Sequence, residues 1–133
     1  MTGGLGARPH EVRRLADAQS VLQQLRQRNP DITAAVIASS DGLPVHEDTA
    51  AGVDAEALAA MATDIVGRAV RMAADVGQGA AQQLLVQAEG GYVVASSVGE
   101  GSCLVVSAKA EASLGLLLVT VRKAAGEVSI DLG

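Results

Sequence analysis

Side chains that act as nucleophiles or general bases are sparse in this chain of 133 residues. Its two histidines are His10, at the start of a predicted helix, and His46, in a short predicted strand, and neither belongs to a Ser-His-Asp or Cys-His pattern. The one cysteine, Cys103, lies in an apolar run, where a thiol is buried and inert. Ser39 and Ser40 precede Asp-Gly and indicate a turn. The sequence therefore predicts no catalytic residue.

Phosphate and metal sites are not predicted either, although the chain has 15 glycines. A P-loop requires Gly-Lys-Ser/Thr, and neither Lys109 nor Lys123 follows a glycine. Residues 99–102 match part of a dinucleotide-binding motif, but they join two predicted strands and place Glu100 where a phosphate would bind. No group of Cys, His and carboxylates has metal-ligand spacing. We expect no cofactor and no metal ion.

Charged residues form one stripe on the longest predicted helix. Asp64, Arg68, Arg71 and Asp75 share a face, with Asp64 spaced to pair with Arg68 and Arg71 spaced to pair with Asp75. Arginine makes planar, multidentate contacts with protein partners, so these four residues are the candidate partner-binding surface. The alternative is an ordinary solvated face with two weak ion pairs.

Composition excludes several classes of protein. Aromatic residues make up 1% of the chain and the net charge is −5, which argues against aromatic stacking on nucleic acid and against binding to a phosphate backbone. The N-terminus lacks an apolar leader, and the longest apolar run, residues 114–121, is far shorter than the roughly 18 residues that span a bilayer. We expect a cytoplasmic protein with no membrane insertion and no nucleic-acid partner.

Hydrophobic periodicity and turn residues predict three helices and five strands in the order α-β-β-α-β-β-β-α. An Asp-Gly pair indicates a hairpin between the first two strands, and Asp54 is a suitable N-cap for the long helix, which should end at Gly77. Gly126 is expected to end the last helix. The predicted domain is residues 10–126, between a flexible lead of residues 1–9 and a short tail of residues 127–133.

The expected architecture is an α+β fold, an α/β/α sandwich with a five-stranded antiparallel sheet. The two terminal helices would share one face and the long helix would cover the other, where a single helix is too narrow for five strands. Self-association would bury the remaining apolar surface. Small residues on the long helix, Ala60, Thr63 and Gly67, predict a seam where a second helix approaches closely.

Four stretches, in this order and spacing, resemble the roadblock / dynein light-chain family, particularly its small bacterial members and their actinobacterial relatives. They are residues 35–45, 54–69, 84–94 and 113–125, so that the resemblance covers residues 10–126. It implies a homodimer whose sheet continues through the third strand, with Gln83, Leu85 and Gln87 at the interface beside Ala60, Thr63 and Gly67. It implies no catalytic residues.

The same resemblance implies a function. Family dimers present their paired long helices to Ras-like small GTPases, and some bacterial members accelerate hydrolysis by their cognate GTPase. The first hypothesis is therefore a non-enzymatic homodimeric regulator or adaptor of such a GTPase. The second is a structural scaffold that holds a sensor-kinase-like protein without affecting nucleotide turnover. A small-molecule sensor, the third, lacks convergent polar groups.

Overall fold

The computed structural model describes the backbone of residues 9–132 and the side chains of residues 18–129. The predicted lead, apart from Pro9, and His10's side chain lie outside these ranges. The elements follow the predicted order: α1 (Pro9–Arg28), β1 (Ile32–Ala38), β2 (Pro44–Thr49), α2 (Ala55–Asp75), β3 (Gln83–Ala88), β4 (Gly91–Val98), β5 (Ser102–Lys109) and α3 (Leu114–Leu132). The Asp54 side chain accepts a hydrogen bond from the Ala57 amide at 3.1 Å, which confirms it as the N-cap of α2.

The five strands form one antiparallel sheet in the order β2-β1-β5-β4-β3. Each short turn joins strands that are neighbours in the sheet, and the longest crossover, through α2, carries the chain from one edge of the sheet to the other. β2 and β3 are therefore the two edge strands. Pro44 opens β2, where its missing N–H removes no bond from the centre of the sheet.

Two cores lie on the two faces of the sheet, and strand alternation assigns each residue to one of them. In β5, Leu104 and Val106 face α1 and α3, whereas Cys103 and Val105 face α2. The α1/α3 core is larger and contains the large buried residues Leu22, Val121 and Val128 as well as the β5 pair. The α2 core is built largely from alanines, including Ala55, Ala59 and Ala62 of the helix. The predicted sandwich is confirmed.

The end of α3 differs from the sequence prediction. Residues 127–132 continue the helix instead of forming a tail, and Gly126 lies inside it. Val128 is fully buried in the α1/α3 core. Burial of a valine side chain contributes about 1.5 kcal/mol or more, which exceeds the roughly 1 kcal/mol that a glycine costs a helix.

Cys103 is buried beneath α2, as the sequence predicted. Burial raises the pKa of its thiol, and a hydrogen bond with the Thr63 side chain opposes part of that shift. A thiol that stays protonated is a poor nucleophile.

Position 91 requires glycine. Gly91 has a φ of 153°, and a Cβ there would collide with the carbonyl oxygen of Ala108 in β5. We expect Gly91→Ala to lower the free energy of unfolding by about 2–3 kcal/mol in urea titrations. The neighbouring Gly90 has open space at its Cβ position, so Gly90→Ala is the matched control, with a change within about 0.5 kcal/mol. Equal effects of the two substitutions would contradict this account of the turn.

The raised pKa of Cys103 predicts a loss of stability in alkali. Above the ordinary thiol pKa of 9.0 the unfolded chain releases a proton that the folded chain retains. The free energy of unfolding of the wild type, relative to Cys103→Ala, should be constant below pH 8 and fall above pH 9 by up to about 1.4 kcal/mol per pH unit. Urea titrations from pH 7 to pH 10 measure this difference, and a difference independent of pH would show that the thiol titrates normally.

Candidate functional site

An apolar cleft opens between α2 and the edge of the sheet at β3. It has a volume of about 200 Å³, and every residue that lines it is apolar. Met61 and Ile65 form its helix side and are 57% and 44% exposed, and Val86 of β3 forms its outer border and is 43% exposed. We call these three residues the cleft rim. Single exposed apolar residues are common on protein surfaces, but a contiguous apolar rim around an apolar cleft marks a site of association.

The cleft exists because α2 does not extend over the whole sheet. The helix packs on β1, β5, β2 and β4 but not on β3, and its buried centre consists of small alanines that let it lie close to the sheet. β3 lies beyond it, so Val86 on the α2 face has no helix above it. Met61, Ile65 and Met72 follow the 3.6-residue apolar period along α2 that predicts a core face, and for these three residues that prediction is wrong, since Met72 is 64% exposed.

The two edges of the sheet differ in how they are covered. At β2, the Gln19 side chain of α1 donates a hydrogen bond to the carbonyl oxygen of Glu47 at 3.0 Å and contacts Nδ1 of His46 at 3.2 Å. Arg26 forms an ion pair with Asp48 at 3.1 Å on the same strand. In the described part of the chain, no side chain donates to a backbone carbonyl of β3. The β3 edge is thus the one left free for pairing with another strand.

The β3 residues predicted at a dimer interface lie along this free edge, on the face of the sheet opposite Val86. Leu85 is 37% exposed and Gln87 is exposed. Gln83 is half-buried because its Nε2 donates to the carbonyl oxygen of Leu118 at 3.0 Å and to Oγ of Ser96 at 3.2 Å. Gln83 therefore ties β3 to α3 within the same chain, and Leu85 and Gln87 remain available.

The small helix residues lie on the other flank of α2. Thr63 Oγ1 donates to the carbonyl oxygen of Ser39 at 3.4 Å, and a Cβ added to Gly42 would lie 3.4 Å from Cα of Ala60. The turn of residues 39–42 of the same chain thus packs against Ala60 and Thr63, whose small side chains allow it to lie close to the helix. Gly67 is exposed, and a Cβ added there would have nothing within 4 Å. The structure does not bring these three residues to the cleft beside β3.

The charged stripe predicted on α2 is exposed along its length. Arg68 Nε lies 3.3 Å from Asp64 Oδ1, and the two side chains are 79% and 66% exposed. The second predicted ion pair, between Arg71 and Asp75, is absent from the described side chains. Arg68, Arg71 and Asp75 border an open concavity of about 350 Å³ together with Met72 and Val76. The guanidinium of Arg71 therefore has no ion-pair partner among the described side chains and lies beside exposed apolar groups, which suits a protein contact.

Sites for other chemistry are not found among the described residues. The His46 ring contacts Gln19 and no nucleophile. Residues 9–132, so far as they are described, contain no group of three His, Cys, Asp or Glu side chains that could hold a metal ion. None of the helices in that part of the chain is both long and apolar enough to cross a bilayer.

Comparison with known proteins identifies relatives that match most of the chain. The sequence model of the Roadblock/LC7 domain matches residues 18–108. Two uncharacterized proteins of the archaeon Methanocaldococcus jannaschii are each 35% identical over 97 residues, which cover 73% of this chain and 84% of the relative. The sequence resemblance had pointed to small bacterial members, and these relatives extend it to archaea.

Solved structures share the fold. The Roadblock/LC7 domain from Streptomyces avermitilis superposes with a TM-score of 0.78 and 27% identity, covering 86% of this chain and 96% of that domain. The gliding protein MglB from Thermus thermophilus has the same TM-score at 17% identity, with 89% and 90% coverage. The second likeness shows the fold alone. On the match of the family sequence model and the identity to the archaeal relatives, the chain belongs to the Roadblock/LC7 family.

Proposed function

We propose that this chain is a non-enzymatic homodimeric regulator or adaptor of a Ras-like small GTPase, which docks on the paired α2 helices. The observation that carries the proposal is the apolar cleft beside the free β3 edge. Membership of the Roadblock/LC7 family supports it, because the resemblance described above implies this class of partner.

A second copy of the chain fits both the free β3 edge and the apolar cleft beside it. Pairing of β3 with β3 around a two-fold axis continues the sheet and satisfies the free backbone groups of the edge strand. It also brings the partner's α2 to the same face of the sheet, above the cleft. Burial of each half-exposed residue of the cleft rim would contribute about 1 kcal/mol to the free energy of dimerisation, and each of these residues occurs twice in a symmetric dimer.

The dimer would create the docking surface for the GTPase. The charged stripe lies on α2 away from the sheet, so two such stripes would face the same side of the dimer. Arg71 is the residue we expect to contribute most, since its guanidinium has no carboxylate partner among the described side chains and Arg68 is already paired with Asp64.

Regulation on this surface requires a difference in affinity between the nucleotide states of the GTPase. A dimer that binds one state more tightly shifts its population by the ratio of the two affinities and no more. Faster hydrolysis would in addition require that the dimer order the catalytic residues of the GTPase itself or supply an arginine, for which Arg68 and Arg71 are the candidates. A scaffold, in contrast, would bind without changing nucleotide turnover.

The dimer is tested by one substitution made on each edge of the sheet. Val86 of β3 and Val45 of β2 are 43% and 50% exposed. We expect Val86→Lys to weaken dimerisation at least about tenfold, by placing a charge in the apolar interface, and Val45→Lys to leave the dimer intact. Sedimentation velocity across a concentration series measures both. A monomeric wild type, or a dimer lost equally in both variants, would contradict pairing through β3.

Gly67→Leu tests, in the same assay, whether the flank of α2 that carries the small residues belongs to the dimer interface. A Cβ at position 67 would meet no atom within 4 Å, and leucine favours a helix more than glycine does, so folding should not be impaired. A weaker dimer would mean that the small-residue seam predicted from sequence is part of the interface, and an unchanged dimer would mean that the interface lies on the cleft side alone.

Binding of the GTPase is tested by charge reversal on α2. With the Ras-like GTPase from the native host, we expect Arg71→Glu to weaken binding at least about tenfold, and Arg68→Glu to have a smaller effect, while both variants remain dimeric. Binding is measured by calorimetry with the GDP and GTP forms. GTP hydrolysis, measured with and without the dimer, then distinguishes the regulator from the scaffold. Unaltered binding in both variants would show that the GTPase docks on a surface other than this stripe.

A further inference from the structure

A second groove lies on the opposite face of the molecule, between α1 and α3. Its larger part has a volume of about 400 Å³, with Val21 and Leu25 of α1 on one wall and Val119 and Ala124 of α3 on the other. A smaller part of about 130 Å³ continues it toward the start of α3. Arg28 and Asn29 line both parts, so the two form one groove along the helix pair. We call it the α1–α3 groove.

Large apolar side chains stand exposed along this groove. Leu116 and Val119 lie on successive turns of α3 and are 61% and 60% exposed. They are on the face of the sheet away from α2, so the β3 pairing and the α2 docking surface proposed above do not depend on them. The groove is therefore a candidate for a separate partner.

The charges along the α1–α3 groove have a definite order. Arg28 of α1 and Lys123 of α3 line its larger part, and neither forms an ion pair with a described side chain. Asp31 lines the smaller part at one end, and Glu127 lies one helical turn beyond Lys123 toward the other end. Among the side chains that the structure describes, the groove thus has a positive centre between two negative ends.

We propose that the α1–α3 groove binds one amphipathic helix of another protein, with an apolar stripe flanked by carboxylates at its centre. A helix seats in the furrow between two packed helices by the same ridge-and-groove packing that joins helices in cores. The lining residues of α3 run from Leu116 to Glu127, a length of about 17 Å, which matches about three turns of a bound helix. Its central carboxylates would pair with Arg28 and Lys123.

A lipid surface fits this groove poorly. Anionic membranes are recognised by clusters of four to eight lysines and arginines, and this groove has two cations between two carboxylates. The net charge of the chain is −5, which adds repulsion from such a surface.

A second copy of this chain also fits poorly through its most exposed helix face. The stripe on α2 runs Asp64, Arg68, Arg71, Asp75, which is again a positive centre between negative ends. Docking α2 of another copy into the groove, in either direction, places arginines against Arg28 and Lys123. Repulsion between these like charges disfavours the docking of α2 in the groove.

The proposal is tested with a displayed library of helical peptides of about 16 residues. The library carries a fixed leucine stripe, with Glu, Lys, Gln or Ser at the flanking positions, and it is selected on the full-length protein. We expect Glu to be enriched at the central flanking positions. Absence of enrichment, or enrichment of Lys there, would overturn the proposal.

One selected peptide then gives a quantitative comparison by fluorescence anisotropy. Arg28→Glu combined with Lys123→Glu should weaken its binding at least about tenfold, and a peptide with Lys in place of the central Glu should recover the loss on that variant. Arg71→Glu, on the far face, should change nothing, so failure here is distinct from failure of the GTPase proposal. Equal loss of binding in the double variant and in Arg71→Glu would contradict recognition by the groove.

The other occupants are tested separately. Tighter binding of the protein to vesicles containing phosphatidylserine than to the selected peptide would assign the groove to lipid. A change in sedimenting mass caused by Val119→Glu would assign it to a second copy. Either result would overturn the proposal of a partner helix.

Discussion

The structure depends on a mismatch between one helix and a five-stranded sheet. The α1/α3 face has two helices and a core of large side chains, whereas the α2 face has one helix that packs on β1, β5, β2 and β4. β3 is left with an open backbone edge and, on the α2 side, with Val86 half-exposed beside Met61 and Ile65. Because the cleft and the free edge are adjacent, one symmetric contact between two copies would cover both. The proposed dimer follows from this geometry, and the proposed docking surface follows from the dimer.

Small residues on α2 serve two purposes that sequence alone does not separate. Ala55, Ala59 and Ala62 are buried and let the helix lie close to the sheet, with the Cys103 thiol beneath it. Ala60 and Thr63 are on another side of the helix, where they admit the turn of residues 39–42. A stripe of small side chains can therefore reflect contact with the helix's own sheet or turn as readily as contact with another helix. Of the predicted seam, Gly67 alone has open space around it.

Much of the fold was predictable from sequence because turns and periodicity are local signals. The Asp-Gly hairpin, the N-cap Asp54 and the two other short β turns predicted the order of elements, and periodicity predicted helices on both faces of the sheet. Two predictions were wrong because burial depends on tertiary contacts, which local sequence signals do not report. Gly126 does not end α3, since Val128 beyond it is buried. Met61, Ile65 and Met72 are exposed despite their apolar period. The residues of the candidate site depend on how far α2 reaches across the sheet, and spacing along the chain does not give that distance. The charged residues from Asp64 to Asp75 were predictable as one exposed face of α2. Of their two predicted ion pairs, the one between Arg68 and Asp64 is present among the described side chains and the one between Arg71 and Asp75 is not.

Two surfaces with the same order of charge lie on opposite faces of this small domain, and their charges disfavour some contacts between copies of the chain. The α2 stripe and the α1–α3 groove each have cations between carboxylates, so neither complements the other. Apolar contact is non-directional and would allow copies to associate through any of the exposed residues Met72, Leu116 or Val119. Matched charge order on both faces disfavours those contacts, while the cleft rim at β3, which is entirely apolar, carries no such restriction. In the proposed dimer, self-association would thereby be directed to the β3 edge, and the two charged faces would remain available to partners whose charge order is the reverse.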